Sequence, residues 1–245
     1  MAIDPVAISL FGFDIYWYGI SYVLGFSFTY WFILKYGEVY SFEKDFLEDV
    51  FLWFAIVSVV FGRVFHIIFY NLPYYLSNPG SLLAVWEGGM SIHGGFFGAF
   101  LVFYYFARKK KVSVLKISDL FTIPTMFGMA LGRLANFVNQ ELVGRVTSSS
   151  LGVVFPRFDD QTRWPTTIFE GFKNLVIFNI LYFMFIFKKM KPGIITAWGL
   201  ILYNFIRFFI DFLRQPELEI GFLGMGQVLS LIFGFLGVYL LYRIK

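Results

Sequence analysis

Arg63, Arg133, Arg207 and Asp211 each stand inside a run of apolar residues long enough to cross a bilayer. Burying an ionisable group there is costly, so such residues are rare and mark function by default. Residues 207, 211 and 214 recur at i, i+4 and i+7, which places Arg207, Asp211 and Arg214 on one helix face. A salt bridge that holds the helix in a bundle would account for Asp211 and one arginine. A single acid does not neutralise all of these arginines, and surplus guanidinium charge calls for an anion. The planar guanidinium matches a phosphate or carboxylate through two parallel hydrogen bonds. The chemistry predicted from these residues is therefore anion binding.

His93 follows Gly88-Gly89-Met90-Ser91-Ile92 and precedes Gly94-Gly95. Glycines on both sides let other backbone or a ligand come close. Imidazole is the side chain that exchanges protons near neutral pH. His66, three residues after Arg63 on an otherwise apolar helix, reads as a packing or interfacial histidine.

The elements that must position these groups follow from composition. Of 245 residues, 58% are hydrophobic, 23% aromatic and only 15% charged, with mean hydropathy +0.71. A soluble domain is nearer a quarter charged. This excludes a disordered chain, a nucleic-acid module and an ordinary cytosolic enzyme. There are no cysteines and two histidines, so disulfides, a thiolate metal site, an enzyme-borne Cys nucleophile and a His-rich metal cage are not expected. No metal or other cofactor is implied.

Seven spans are predicted, at 15–35, 46–70, 92–107, 119–138, 167–187, 193–213 and 222–242. Lys35 and Lys44 follow the first, Arg108 to Lys111 and Lys116 the third, Lys188, Lys189 and Lys191 the fifth, and Arg243 and Lys245 the seventh. The loop 71–89 has neither Lys nor Arg. The positive-inside rule then puts the N-terminus outside and the C-terminus in the cytoplasm. The opening residues MAIDPVAISLFGF lack a basic region and a cleavage site, so they do not read as a cleaved signal peptide. The polar stretch 139–165, with Pro156 and Pro165, reads as a small extracytoplasmic lobe within one domain spanning 1–245. The expected fold is an all-α integral membrane protein of about seven transmembrane helices.

In this topology the unusual polar residues gather in the outer half of the membrane. Tyr18 lies at the outer end of span 1 and Arg63 about two turns from the outer end of span 2. His93 starts span 3, and Arg133, Asn136, Asn139 and Glu141 end span 4. Glu170 starts span 5, while Arg207, Asp211 and Arg214 end span 6. One polar cavity open to the outer leaflet explains that distribution better than scattered salt bridges. For Tyr18, an interfacial aromatic belt is the competing explanation.

The run Gly132-Arg133-Leu134-Ala135-Asn136-Phe137-Val138-Asn139-Gln140-Glu141-Leu142-Val143-Gly144-Arg145-Val146-Thr147 resembles the signature of bacterial prolipoprotein diacylglyceryl transferases. Gly88 to Gly95, Trp17-Tyr18-Gly19, Gly62-Arg63, Arg207-Phe208 through Arg214-Gln215-Pro216, and Met225-Gly226-Gln227 match in the same order. Ala135 replaces the family's usual Gly, and Asp211 its usual Glu. Trp164-Pro165-Thr166-Thr167-Ile168-Phe169-Glu170 replaces a His-Pro-x-Gln-Leu-Tyr-Glu segment, the largest departure.

The resemblance implies transfer of the diacylglyceryl group from phosphatidylglycerol to the lipobox cysteine thiol of a prolipoprotein signal peptide. A thioether forms and glycerol-1-phosphate leaves. The implied location is the bacterial inner (plasma) membrane, among membrane lipids, with no nucleic-acid partner. Arg133 and Arg207 are expected to bind the phosphate and stabilise the leaving group, and His93 to take the thiol proton or orient the donor. Asn136, Asn139 and Glu141 are expected to shape the pocket, Gly144 to allow close backbone approach, and Asp211 to orient Arg207 or Arg214. Tyr18, Arg63 and Gly94 complete the expected substrate-binding set. The alternatives are a scaffold that binds lipid but has lost catalysis, or a lipid or anion transporter. A transporter should show broken helices or repeat symmetry, and neither is evident in the sequence.

Overall fold

The structure, a computed structural model, describes residues 3–84, 88–188, 190–215 and 219–244. Lys189, Pro216 and Lys245, named above, lie outside the described residues. Strands β1 (Val6–Leu10) and β2 (Phe13–Tyr16) form an antiparallel hairpin that leads into α1 (Trp17–Tyr36). Then come α2 (Lys44–Tyr70), the short α3 (Leu72–Ser77), α4 (Ile92–Lys110) and α5 (Val114–Asn139). The two-residue strands β3 (Val153–Val154) and β4 (Thr162–Arg163) pair before α6 (Thr166–Phe187) and α7 (Ile194–Ile210). Finally β5 (Glu219–Ile220) and β6 (Leu223–Gly224) turn into α8 (Met225–Ile244).

Each predicted apolar run coincides with one of the helices α1, α2 and α4 to α8. Four of them, α2, α5, α6 and α8, are long and apolar enough to cross a membrane, and α7 is a shorter apolar helix. The sixth predicted span, 193–213, is overlong. Its helix ends at Ile210, Asp211 caps it, and a turn follows. Arg207 and Asp211 keep their i, i+4 relation, but Arg214 does not continue that face. Instead it bridges to Gly144 in antiparallel fashion.

The helix faces are arranged for lipid rather than water. On α6 the charged or polar Glu170, Lys173 and Asn174 are buried, whereas Phe172, Phe183 and Phe187 are exposed. In water this pattern would waste apolar burial and strand charges. In a bilayer it is the economical one, because lipid tails are as apolar as the side chains they meet.

The chain divides into two compact units, Ile33–Ile117 and Met1–Phe32 with Ser118–Lys245. Within Ile33–Ile117, α2 packs on α4 around Phe46, Val50, Val102, Phe103 and Phe106. Gly94 and Gly98 make that contact possible, because a Cβ at either would collide with the carbonyls of Phe61 and Val57 on α2. In the other unit, Phe28 of α1 packs on Phe127 of α5 and Phe178 of α6, with Leu181 and Ile195 buried nearby in the chain's core. Asp119 closes the start of α7, accepting hydrogen bonds from the backbone N–H of Gly193 (2.7 Å) and Thr196 (2.8 Å).

Candidate anion-binding site

The site is built from the ends of three helices and their connections within the Met1–Phe32 and Ser118–Lys245 unit. The side chain of Glu170, on the first turns of α6, is 2% exposed. Its carboxylate forms an ion pair with Arg133 Nε of α5 and lies 3.6 Å from Arg207 Nη1 of α7. One buried acid thus braces two arginines from two helices. Arg207 Nε lies 3.6 Å from Asp211 Oδ2, and Arg207 Nη1 donates to the Tyr203 hydroxyl at 3.3 Å. Among the described residues, the Nη2 group of neither arginine donates a hydrogen bond to the protein. These groups are positioned donors whose capacity the protein does not use.

The end of α5 turns back because Gln140 and Leu142 adopt positive φ angles of 61° and 54°. The Glu141 N–H returns to the Asn136 carbonyl at 3.0 Å. That fold-back lets Glu141 accept from Asn136 Nδ2 at 2.9 Å and from Asn139 Nδ2 at 3.1 Å. Asn136 Oδ1 in turn accepts from Arg133 Nη1 at 3.4 Å. Arg133, Asn136, Asn139 and Glu141 are therefore one connected polar group.

Gly144 is held between Trp164 and Leu213. It donates to the Trp164 carbonyl at 3.0 Å, and a Cβ would collide with that carbonyl and stand 2.9 Å from the Leu213 oxygen. Its close approach is to the chain's own backbone. Gly226 opens α8 against the arginine. A Cβ there would overlap Asp211 Oδ2 and lie 3.2 Å from Arg207 Nη2. This gives a physical reason for the glycine in Met225-Gly226-Gln227. Tyr18, half-buried on α1, meets Tyr22 edge to face at 5.3 Å.

Segment 143–165 is tied down by Arg163. Its Nε and Nη2 donate to the Asp159 carboxylate, the shortest contact being 2.6 Å. Nη1 donates to the Gly144 carbonyl (3.0 Å) and Gln215 Oε1 (2.7 Å), and Nη2 also donates to Gln161 Oε1 (3.4 Å). All five guanidinium donors are used. The Arg163 hydrogen bonds hold the Asp159 carboxyl below the usual carboxylate range.

Arg63, His66, His93 and Gly94 belong to the Ile33–Ile117 unit. Arg63 donates to the carbonyls of Ser81 (2.6 Å), Leu82 (3.1 Å), Gly88 (2.5 Å) and Gly89 (3.2 Å) and lies over the Tyr75 ring. Four of its five donors thus hold the loop between α3 and α4. Gly88 and Gly89 have positive φ, and a Cβ at Gly89 would overlap His66. His66 stacks on Tyr70, in keeping with a packing role. Ser91 caps α4, and His93, in its first turn, is exposed.

Glu170 was expected only as a marker of the start of a span. Lys173, Asn174 and Tyr203 were not expected at all. The signal was present: Glu170 and Lys173 fall inside 167–187, where the rule that singled out Arg133 applies equally.

Apolar helices long enough to cross a bilayer, packed around buried charge, define a membrane protein. The comparison with known proteins narrows this class. The family described as prolipoprotein diacylglyceryl transferase matches residues 5–243. Phosphatidylglycerol–prolipoprotein diacylglyceryl transferase of Ehrlichia canis is 38% identical over 248 aligned positions, covering 98% of this chain and 95% of its own. The proteins of the same name from Rickettsia typhi and Francisella tularensis subsp. holarctica are 38% and 36% identical, covering 99% and 98% of this chain and 97% and 92% of their own. The chain belongs to the prolipoprotein diacylglyceryl transferase family.

Proposed function

We propose that this protein transfers the diacylglyceryl group of phosphatidylglycerol to the cysteine thiol of a prolipoprotein lipobox. The observation that carries the reading is the pair Arg133 and Arg207, braced by buried Glu170 with Nη2 donors left over. A bond forms between the sulfur and the terminal glyceryl carbon. The bond from that carbon to the phosphate oxygen breaks, and its electron pair stays on departing glycerol-1-phosphate. The leaving phosphate gains charge as the bond breaks, and donors already in place around it lower the barrier.

Asn136, Asn139 and Glu141 keep Arg133 in position, and Asp211 does the same for Arg207. Arg214 and Gly144 fasten the end of α7 to the segment after α5, which fixes where Arg207 stands. Tyr18 is proposed to contact the headgroup. His93 is proposed to accept the thiol proton or orient the donor, with Gly94 seating the start of α4 against α2 and Arg63 holding the loop before it. The Tyr18 and His93 assignments rest on the sequence motifs around them. A free thiol ionises near pH ~8.5, so a base or nearby positive charge is needed to make thiolate.

The same reading holds that seven helices cross the bacterial inner membrane with the N-terminus outside. Arg108 to Lys111, Lys116, Lys188, Lys191 and Arg243 then mark the cytoplasmic side. Residues 139–165 face outward as a lobe of one catalytic domain, and the site opens to the outer leaflet. The test supplies purified protein in nanodiscs with phosphatidylglycerol and a lipobox peptide, and follows the peptide by mass spectrometry. A diacylglyceryl mass gain on the cysteine peptide, absent from a Cys→Ser peptide, is expected. No gain from folded protein that still binds the lipid would favour the non-catalytic scaffold.

A further inference from the structure

The buried face of α6 carries more charge than the two arginines require. Beyond Glu170 it holds Lys173 and Asn174, 3% and 0% exposed. The Lys173 ammonium lies 3.7 Å from the centre of the Tyr203 ring, a cation–π contact. Among the described residues it makes no hydrogen bond, and neither does either amide atom of Asn174 or Oδ1 of Asp211. Buried polar atoms are nearly always bonded. Several unbonded ones, on α6 and at the end of α7, mark a place for polar atoms that the chain itself does not supply.

Lys173 joins the arginine site through Tyr203, because its ammonium lies over the ring whose hydroxyl accepts from Arg207 Nη1 at 3.3 Å. The set carried by α5, α6 and α7 is three cations, Arg133, Lys173 and Arg207, against two carboxylates, Glu170 and Asp211. One positive charge is left over. In a low-dielectric setting an unbalanced charge is costly, and a guest carrying one negative charge relieves it. A phosphodiester is such a group. Without Lys173 the arginines and carboxylates balance, and a zwitterionic headgroup would suit the site as well as an anionic one.

We propose that Lys173 sets the headgroup charge this site accepts. Its ammonium leaves the site singly positive, which selects a lipid phosphodiester of net charge −1 over a zwitterionic phospholipid. Asn174 offers the same headgroup an N–H2 donor group and a carbonyl acceptor. The proposal rests on the transferase reading only in taking that headgroup to be the donor's.

The test compares wild type, Lys173→Met and Lys173→Arg in nanodiscs of phosphatidylglycerol or phosphatidylethanolamine at equal mole fraction. Lys173→Met should raise KM for phosphatidylglycerol about tenfold, change kcat less than about threefold, and cut the preference over phosphatidylethanolamine about tenfold. Lys173→Arg, which keeps the charge, should hold all three near wild type. A purely structural lysine would lower Tm without moving the KM-to-kcat split, and an unchanged lipid preference in Lys173→Met overturns the proposal. Should Lys173→Met fail to fold, lipid-induced Tm shifts of wild type and Lys173→Gln decide. Phosphatidylglycerol alone should raise the wild-type Tm and both lipids should act alike on Lys173→Gln, and a preference kept by Lys173→Gln overturns the proposal. Inorganic phosphate is the soluble control, and Lys173-dependent protection by it at millimolar concentration would overturn the lipid assignment. Selective, Lys173-dependent lipid binding without any transfer would instead sink the transferase reading and leave this proposal standing.

Discussion

Arg163 and Arg207 are the same side chain put to opposite uses. Arg163 spends all five donors on Asp159, Gln161, Gly144 and Gln215, tying segment 143–165 to the end of α7. Among the described residues, Arg207 makes one hydrogen bond, to Tyr203, and two looser ion pairs at 3.6 Å, to Glu170 and Asp211. Arg63 resembles Arg163, with four donors on loop carbonyls. Arg133 resembles Arg207. A guanidinium saturated by the protein works as a clamp, whereas under the proposed function one braced by carboxylates with donors to spare takes the outside anion.

The largest effect expected from this contrast is on turnover. Arg133→Ala or Arg207→Ala should lower diacylglyceryl transfer about a hundredfold or more, as loss of a single transition-state donor does elsewhere. Near-normal turnover from folded variants would erase the distinction. Glu170→Gln comes next. It strips both arginines of their shared carboxylate, and breaking a buried pair costs roughly 3–5 kcal/mol. The expected result is a clearly lower thermal midpoint together with reduced transfer. A variant of unchanged stability would mean that Glu170 does not brace the pair.

Smaller effects sharpen the clamp side. Gly144→Ala pushes a methyl group into the Trp164 carbonyl, and overpacking of this kind costs about 1–3 kcal/mol. Its Tm should fall, and kcat should fall far less than in Arg207→Ala, through the shift it imposes on the end of α7. The smallest effect concerns Asp159. Its carboxyl is held low by the Arg163 hydrogen bonds, so the pair contributes fully above the ordinary Asp value of about 3.9. That contribution is lost as pH falls through the depressed folded value. Amides in 144–165 should exchange faster at pH 2.5, relative to intrinsic rates, than at pH 6, by hydrogen-exchange mass spectrometry. Asp159→Asn should remove most of that difference.

Helix positions were legible because each is a long apolar run, and α1, α2 and α4 to α8 fall where those runs do. What was not legible depends on tertiary partners. The β1–β2 hairpin is too short to announce itself through alternation. The end of α7 at Ile210 is set by a turn and the Gly144–Arg214 bridge, not by a breaker residue in the sequence. Within the site, Arg133, Arg207 and Asp211 were legible as charges in apolar surroundings. Lys173 and Glu170 obey the same rule but lie near a span's start, where an interfacial location explains a charge equally well. Gly144 was expected to allow close approach, and the structure supplies the approaching groups, Trp164 and Leu213. The commitment of Arg63 to carbonyls 18 to 26 residues away is invisible to spacing, because it depends on how the loop folds.

The most direct measurement pairs Arg207→Lys with Arg163→Lys, reading kcat for diacylglyceryl transfer and Tm on the same preparations. Lysine keeps the charge but loses the planar fork. Arg207→Lys should lose about tenfold or more in kcat with Tm nearly intact, and Arg163→Lys should lower Tm while kcat per folded molecule holds. Equal losses in both quantities for both variants, or the reverse assignment, would contradict the division between clamp and site.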